Sequence, residues 1–179
     1  AEALQRGLPI GRVLSGEASA LPAQLAAQPC IDGDSWQWDG VRFTTWRWQQ
    51  APEGNAASCV LQVEAASGER LLLTGDIDQA AERALLASGR DLRADWLQVP
   101  HHGSGSSSSL AFVQAVTPRA VLLSRGRYNA YGHPHPRVMA RYRALGAVVY
   151  DNVPNGTLRL LLGQYGEARG EREQRYFWR

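Results

Sequence analysis

The stretch RLLLTGDIDQAAERALLASGRDLRADWLQVPHHGSGSSSS, residues 70–109, reads as strand, helix, strand and polar loop in that order. RLLLTGD is an apolar run ending at Gly75-Asp76, and a helix follows it directly, with Asp78 as its cap, Ala81, Leu85 and Leu86 on its apolar face and Gly89 at its end. DWLQVP is a second short strand that opens into HHGSGSSSS. Downstream the alternation repeats: SLAFVQAVTP (109–118) is a serine-capped helix stopping before Pro118, RAVLLS (119–124) a strand, and RGRYNAYGHPHP (125–136) its exit loop. A third helix starts near Pro136 and ends before Gly146; AVVY, an Asn155-Gly156 turn and the strand TLRLLL complete the pattern.

Upstream the pattern is of hairpins. SCVLQVEA (58–65) turns through Ser67-Gly68-Glu69 into RLLLTGD, and SWQWDGVRFTTWRW (35–48) alternates around Asp39-Gly40. Its tryptophans, Trp36, Trp38 and Trp46, read as hairpin packing and not as a base-stacking platform. Ile10 to Leu14 reads as a strand, and AEALQRG as the last turns of a helix. Hairpins followed by strand-helix alternation predict layered α/β packing, with a mixed sheet covered by helices on one face.

The chain of 179 residues, 44% apolar, suits one domain, with a charged tail from Gly163 to Arg179. A net charge of +2 does not mark a general nucleic-acid binder, and with no lysine present every basic side chain is an arginine. No run approaches the roughly 20 apolar residues of a membrane span, and the N-terminus lacks signal-peptide organisation. Cys30 and Cys59 are too far apart for a CxxC motif; they are either a disulfide of an oxidising compartment or two buried thiols.

All four histidines fall in two strand-exit loops, His101-His102 and His133-Pro134-His135. Loops at strand ends converge at one end of a sheet, and imidazoles with a carboxylate such as Asp76 suit zinc or manganese. A carboxylate can bridge two ions about 3.5–4 Å apart, which activate water and stabilise both oxygens of a phosphodiester displacement. Taken singly, Asp76 is equally a helix-preceding turn residue, His133 an exposed loop residue and the serine run a flexible loop. Their joint order, each at a strand exit, carries the argument.

LLLTGDI, LQVPHHGSGSSSS and GRYNAYGHPHP, with GNAASCVL before them, resemble in order and spacing the C-terminal metallo-β-lactamase-like domain of ComEC-type DNA internalisation proteins of bacterial competence. The resemblance spans residues 1–162 and implies an αββα sandwich. It further implies Asp76 as metal-bridging carboxylate, with His133 and His101 as ligands, and leaves open which of His101 and His102 serves as ligand and which as proton donor. Ser104, Arg125, Arg127, Asn129 and Tyr131 would line the substrate cleft. The HxHxDH motif that supplies much of the first metal site in such domains is absent, so the expectation is a chain truncated just after that motif, with an incomplete set of ligands and little activity alone. The implied setting is a hydrolytic domain acting on DNA with one or two divalent ions, joined to a membrane channel segment and facing the outside of the inner membrane. The competing readings are a non-catalytic DNA-binding or scaffolding module with a degenerate metal site, and a metallo-hydrolase of a small phosphodiester, lactone or thioester.

Overall fold

The computed structural model describes residue 7, residues 9–51 and residues 53–173, so the helical reading of AEALQRG lies almost wholly outside it. In chain order the strands are β1 (Leu14–Ser15), β2 (Gln28–Pro29), β3 (Ser35–Trp38), β4 (Val41–Trp46), β5 (Val60–Glu64) and β6 (Arg70–Leu73). Helix α1 (Gln79–Ala87) leads to β7 (Trp96–Gln98), α2 (Leu110–Val116) to β8 (Ala120–Leu123), and α3 (Pro136–Ala144) to β9 (Val148–Asp151). The short α4 (Asn152–Asn155), β10 (Leu158–Arg159) and β11 (Arg169–Gly170) follow.

Strands β3 to β9 form one seven-stranded sheet in sequential order, antiparallel from β3 to β6 and parallel from β6 to β9. The sense changes where tight turns give way to helical connections, because a parallel neighbour needs a crossover. Period-two alternation then fixes the two faces. Leu72, Leu97, Val121 and Leu123 meet Leu85, Phe112, Val116, Val138 and Tyr142 of the helices. Leu71, Trp96, Leu122 and Tyr150 point the other way, onto Leu160, Leu162 and Ala168 of the C-terminal segment. Strands buried on both faces explain the unbroken apolar runs. Of the expected sandwich, the described residues supply one helix layer, one complete sheet and the C-terminal cover on its far face.

Local chemistry sets the ends of the elements. Asp78 accepts from the amides of Ala80 and Ala81, and Ser109 from that of Phe112. Asp39 and Gly40, at φ 53° and 78°, form the two-residue turn between β3 and β4. Trp36 lies opposite Phe43 and stacks on it at 5.2 Å, whereas Trp46 is in the core on the other face, so the tryptophans are not one set.

Two expectations need correcting. The Ile10 to Leu14 strand is reduced to β1, which pairs in parallel with β2 outside the large sheet. TLRLLL contributes only β10, paired with β11, because the chain turns at Gly156 and crosses the sheet face instead of extending its edge. The charged segment from Gly163 is anchored over its first residues: the buried Glu69 carboxylate accepts from Trp96 Nε1, Arg119 and the amides of Gly163 and Tyr165. Burial alone would raise the Glu69 carboxyl; the hydrogen bonds from Trp96, Tyr165, Gly163 and Arg119 outweigh it and hold it below its ordinary value. Cys30 and Cys59 are joined as a disulfide, Cα–Cα 5.8 Å. Among the described residues no helix is long and apolar enough to cross a membrane.

Candidate metal centre

Neighbouring parallel strands deliver Asp76 and the histidine pair to one end of the sheet. Thr74 Oγ1 donates to the Gln98 carbonyl at 3.0 Å and the His101 amide to the Gly75 carbonyl at 3.1 Å, tying the exits of β6 and β7 together. The Asp76 amide donates to Ser58 Oγ at 3.2 Å. Gly75, at φ +57°, leaves room for that serine: a Cβ there would sit 3.2 Å from Ser58 Cβ.

His101 and His102 both adopt left-handed backbone, φ 48° and 54°, and Gly103 continues it at 81°. Each non-glycine residue in this region costs about 1–2 kcal/mol, a concentration of strain typical of functional sites. The rings diverge. His102 Nδ1 lies 2.8 Å from the Ser124 carbonyl, which can only accept, so Nδ1 carries a proton and the ring is held with Nε2 3.6 Å from Asp76 Oδ1. Two ligand atoms about 2.1 Å from one tetrahedral ion stand about 3.4 Å apart, so this pair has a chelating spacing and is too long for a hydrogen bond. Both side chains are 40–47% exposed, and the pair opens to solvent.

His101 Nε2 meets the Asn55 side-chain amide at 3.3 Å, and its ring stands edge-on to that of His133, centroids 5.8 Å apart. His101 Nδ1 is the one buried side-chain polar atom without a partner among the described residues. Burial lowers the His133 pKa below its ordinary value, helped by the neighbouring His101, His102 and His135, so the neutral imidazole is favoured there. Among the described residues no group of three or more His, Cys, Asp or Glu side chains converges as a ready metal cage. The donors instead stand as two pairs, Asp76 with His102 and His101 with His133.

The loop residues assigned by resemblance divide into free and committed. Asn129 bridges its own loop: its Oδ1 accepts from the His133 amide, and its Nδ2 donates to the carbonyls of His133 and Gly126, at 2.8–3.0 Å. Arg125 donates from Nε and Nη2 to Asp151 at 2.9 and 2.7 Å. Their side chains brace the loop through these bonds. Ser104 is buried and shares its hydroxyl with Ser106. Arg127 and Tyr131 are exposed, the latter stacked on His133 with centroids 5.6 Å apart. His135, a candidate by composition, caps α3 by accepting from the Arg137 amide.

The serine run is not a flexible loop. Glu82 of α1, fully buried, accepts from the amides of Ser108 and Ser109, Tyr142 donates to Ser108 Oγ, and Ser107 donates to the Pro100 carbonyl. Burial pushes the Glu82 carboxyl up despite those bonds. Glu82, Ser124, Asn55 and Ser58 therefore shape the site without having been singled out as contributors to it. They act across distant sequence, Ser124 through its backbone carbonyl and the others through side chains, and GNAAS, which holds the last two, is the one visible hint.

No family model matches the chain. It is 36% identical over 175 residues to competence protein ComA of Neisseria gonorrhoeae, covering 96% of this chain and 25% of that protein. It is 43% identical over 122 residues to the uncharacterized protein YcaI of Escherichia coli, 66% of this chain and 16% of that one. With ComE operon protein 3 of Bacillus subtilis it shares 34% over 104 residues, 58% of this chain and 13% of that protein. The chain thus spans a quarter or less of these relatives' lengths. Among solved structures, a Parabacteroides distasonis protein assigned as a metal-dependent hydrolase superposes with TM-score 0.55 at 12% identity, covering 84% of this chain and 68% of that one. Sequence identity to competence proteins over nearly the whole chain places it among the ComEC-type metallo-β-lactamase-like domains.

Proposed function

We propose that this chain supplies one side of a metal-dependent hydrolase centre acting on DNA phosphodiesters during DNA uptake. The observation that carries the reading is the Asp76 Oδ1 to His102 Nε2 spacing of 3.6 Å, with His102 oriented by the Ser124 carbonyl at its Nδ1. A zinc or manganese ion bound there would polarise a phosphoryl oxygen and activate water. Asp76 and His102 would hold it, with His101 and His133 as a second, neighbouring pair of donors. Of His101 and His102, between which the resemblance leaves the choice of ligand open, the reading favours His102 beside Asp76. His133, kept neutral, is fit to ligate or to accept a proton.

Arg127 is the unpaired cation on the exit loop of β8 and suits a phosphate; Arg125 is neutralised by Asp151. An open, half-exposed donor set favours a polymer over a small acyl substrate, which needs an enclosed apolar pocket. The names of the relatives favour DNA and a larger, membrane-attached parent. The Cys30–Cys59 bridge favours an oxidising compartment, hence the outer side of the inner membrane. The separation of the donors into two pairs favours a second reading, a non-catalytic DNA-binding module.

The test is metal content and DNA cleavage by the full-length parent protein, with and without chelator, beside Asp76→Ala, His102→Ala and His133→Ala. Wild type should take up metal and cut DNA, and each variant should lose at least about a hundredfold in rate. A wild type that takes up no metal defeats the catalytic reading; salt-sensitive DNA binding indifferent to chelator would then establish the second one. Metal uptake with ester hydrolysis but intact DNA would defeat the substrate assignment alone.

A further inference from the structure

We propose that Tyr128 and Tyr131 form a stacking platform for the unpaired bases of single-stranded DNA beside the candidate metal centre, an assignment that rests on the DNA reading above. Tyr128 is 91% and Tyr131 82% exposed, the highest values among the large hydrophobic side chains described. Two such rings three residues apart are costly surface unless something covers them. Tyr131 already shows the geometry of stacking: its ring lies 21° from the plane of His133, which is packed against one side and leaves the other open.

The segment beneath the rings is tied to itself. Asn129, between the two tyrosines, hydrogen-bonds to Gly126 and twice to His133, which holds the two rings on one braced loop that can still adjust to a ligand. Its charge is suited to a polyanion. No acidic residue occurs between Arg125 and Pro136, and Arg127, adjacent to Tyr128, is exposed while Arg125 is paired with Asp151. Exposed aromatics interleaved with a free arginine are the elements of a single-strand binding groove. A duplex hides its base faces within its own stack, so these rings distinguish unpaired from paired DNA. The arginine meets either form through phosphate.

The experiment measures binding of a fluorescent oligothymidylate and of a hairpin duplex of equal length to the full-length parent protein, in chelator so that no strand is cut. Tyr128→Ala and Tyr131→Ala should each weaken single-strand binding about tenfold and together about a hundredfold, with duplex binding within about twofold and Phe at both positions retaining the affinity. Single-strand affinity unchanged in the double variant overturns the proposal and leaves the rings to a protein partner. Equal losses on both oligonucleotides overturn it in favour of a phosphate contact. A wild type that binds single strands but neither takes up metal nor cleaves DNA supports the platform and defeats the hydrolase reading. A wild type that binds no single strand overturns the platform, while metal-dependent hydrolysis of a small phosphodiester would keep the centre.

Discussion

Two segments meet at His101 and are held by unlike means. The Gly54–Ala57 turn carries Asn55 to the His101 ring and leads into Ser58, which binds the Asp76 amide. It is stapled: Cys59 is bonded to Cys30, the Cys30 amide donates to the Ser15 carbonyl, Gly54 donates to Glu17, and the backbone at Gly16 is so close to the Ala57 carbonyl, 2.0 Å from where a Cβ would stand, that no side chain fits. The loop from Arg125 to His133 brings the second histidine of that pair with no covalent tie and little burial, secured by Asn129 and by the Arg125–Asp151 pair. The Asp76 side is thus arranged in advance, and the His133 side rests on a few hydrogen bonds that a ligand can adjust. In the function proposed above, the fixed wall would carry the ion and the yielding one would adjust to the substrate.

The largest expected effect comes from breaking the staple. Cys30→Ser with Cys59→Ser removes a cross-link spanning 29 residues of sequence separation, worth about 3.5 kcal/mol by loop-closure entropy. The melting temperature should fall by about 7–14 °C. A loss below about 1 kcal/mol in urea titration would mean that the hydrogen bonds alone fix this side, and the contrast with the loop would disappear. Next in size is the joint between the two walls. Gly103, at φ +81°, faces the proline ring after His133: a Cβ would lie 2.7 Å from Pro134 Cβ. Gly103→Ala should therefore cost about 3 kcal/mol, part backbone strain and part overpacking. Gly132→Ala, also at positive φ but with nothing within 4 Å of the added carbon, should cost about 1 kcal/mol. Equal costs at the two glycines, measured by denaturant titration, would show that the joint is not packed.

Much of this contrast was invisible to sequence reading, for definable reasons. The strand-helix alternation from Arg70 to Tyr150, the caps at Asp78 and Ser109 and the Asp39-Gly40 turn are local signals, and they were readable because propensity and burial agree there. The approach of Asp76 to His102 follows from parallel strands sharing an exit, which the order of motifs conveys. Partners distant in sequence are not conveyed. Arg125 has the composition of a phosphate contact and Asn129 that of a cleft residue, but Asp151, at a separation of 26 residues, pairs with the first, and the loop's own carbonyls engage the second. The serine run has the composition of a flexible linker, and becomes rigid only because Glu82 reaches it from α1. Which histidine faces Asp76 depends on two successive left-handed residues, a backbone state no apolar periodicity encodes. The TLRLLL strand pattern is real burial, but on the sheet's face instead of its edge.

The smallest effect should come from the yielding wall itself, and it separates local from global order. Asn129→Ala removes one acceptor and two donor contacts within the loop, each worth about 0.5–1.5 kcal/mol. Because these bonds lie in a half-exposed segment with few apolar contacts, their loss should fall on a local opening of the loop, not on global unfolding. Hydrogen exchange at the His133 amide should accelerate by about tenfold or more, while the urea midpoint moves by less than the equivalent of about 1 kcal/mol. Asn129→Asp keeps an acceptor for the His133 amide but loses both donors, and its exchange rate should fall between those of wild type and Asn129→Ala. A global loss comparable to that of the disulfide variant would place the loop within the cooperative core. His133 would then be as rigidly set as Asp76, and the two walls of the centre would not differ in kind.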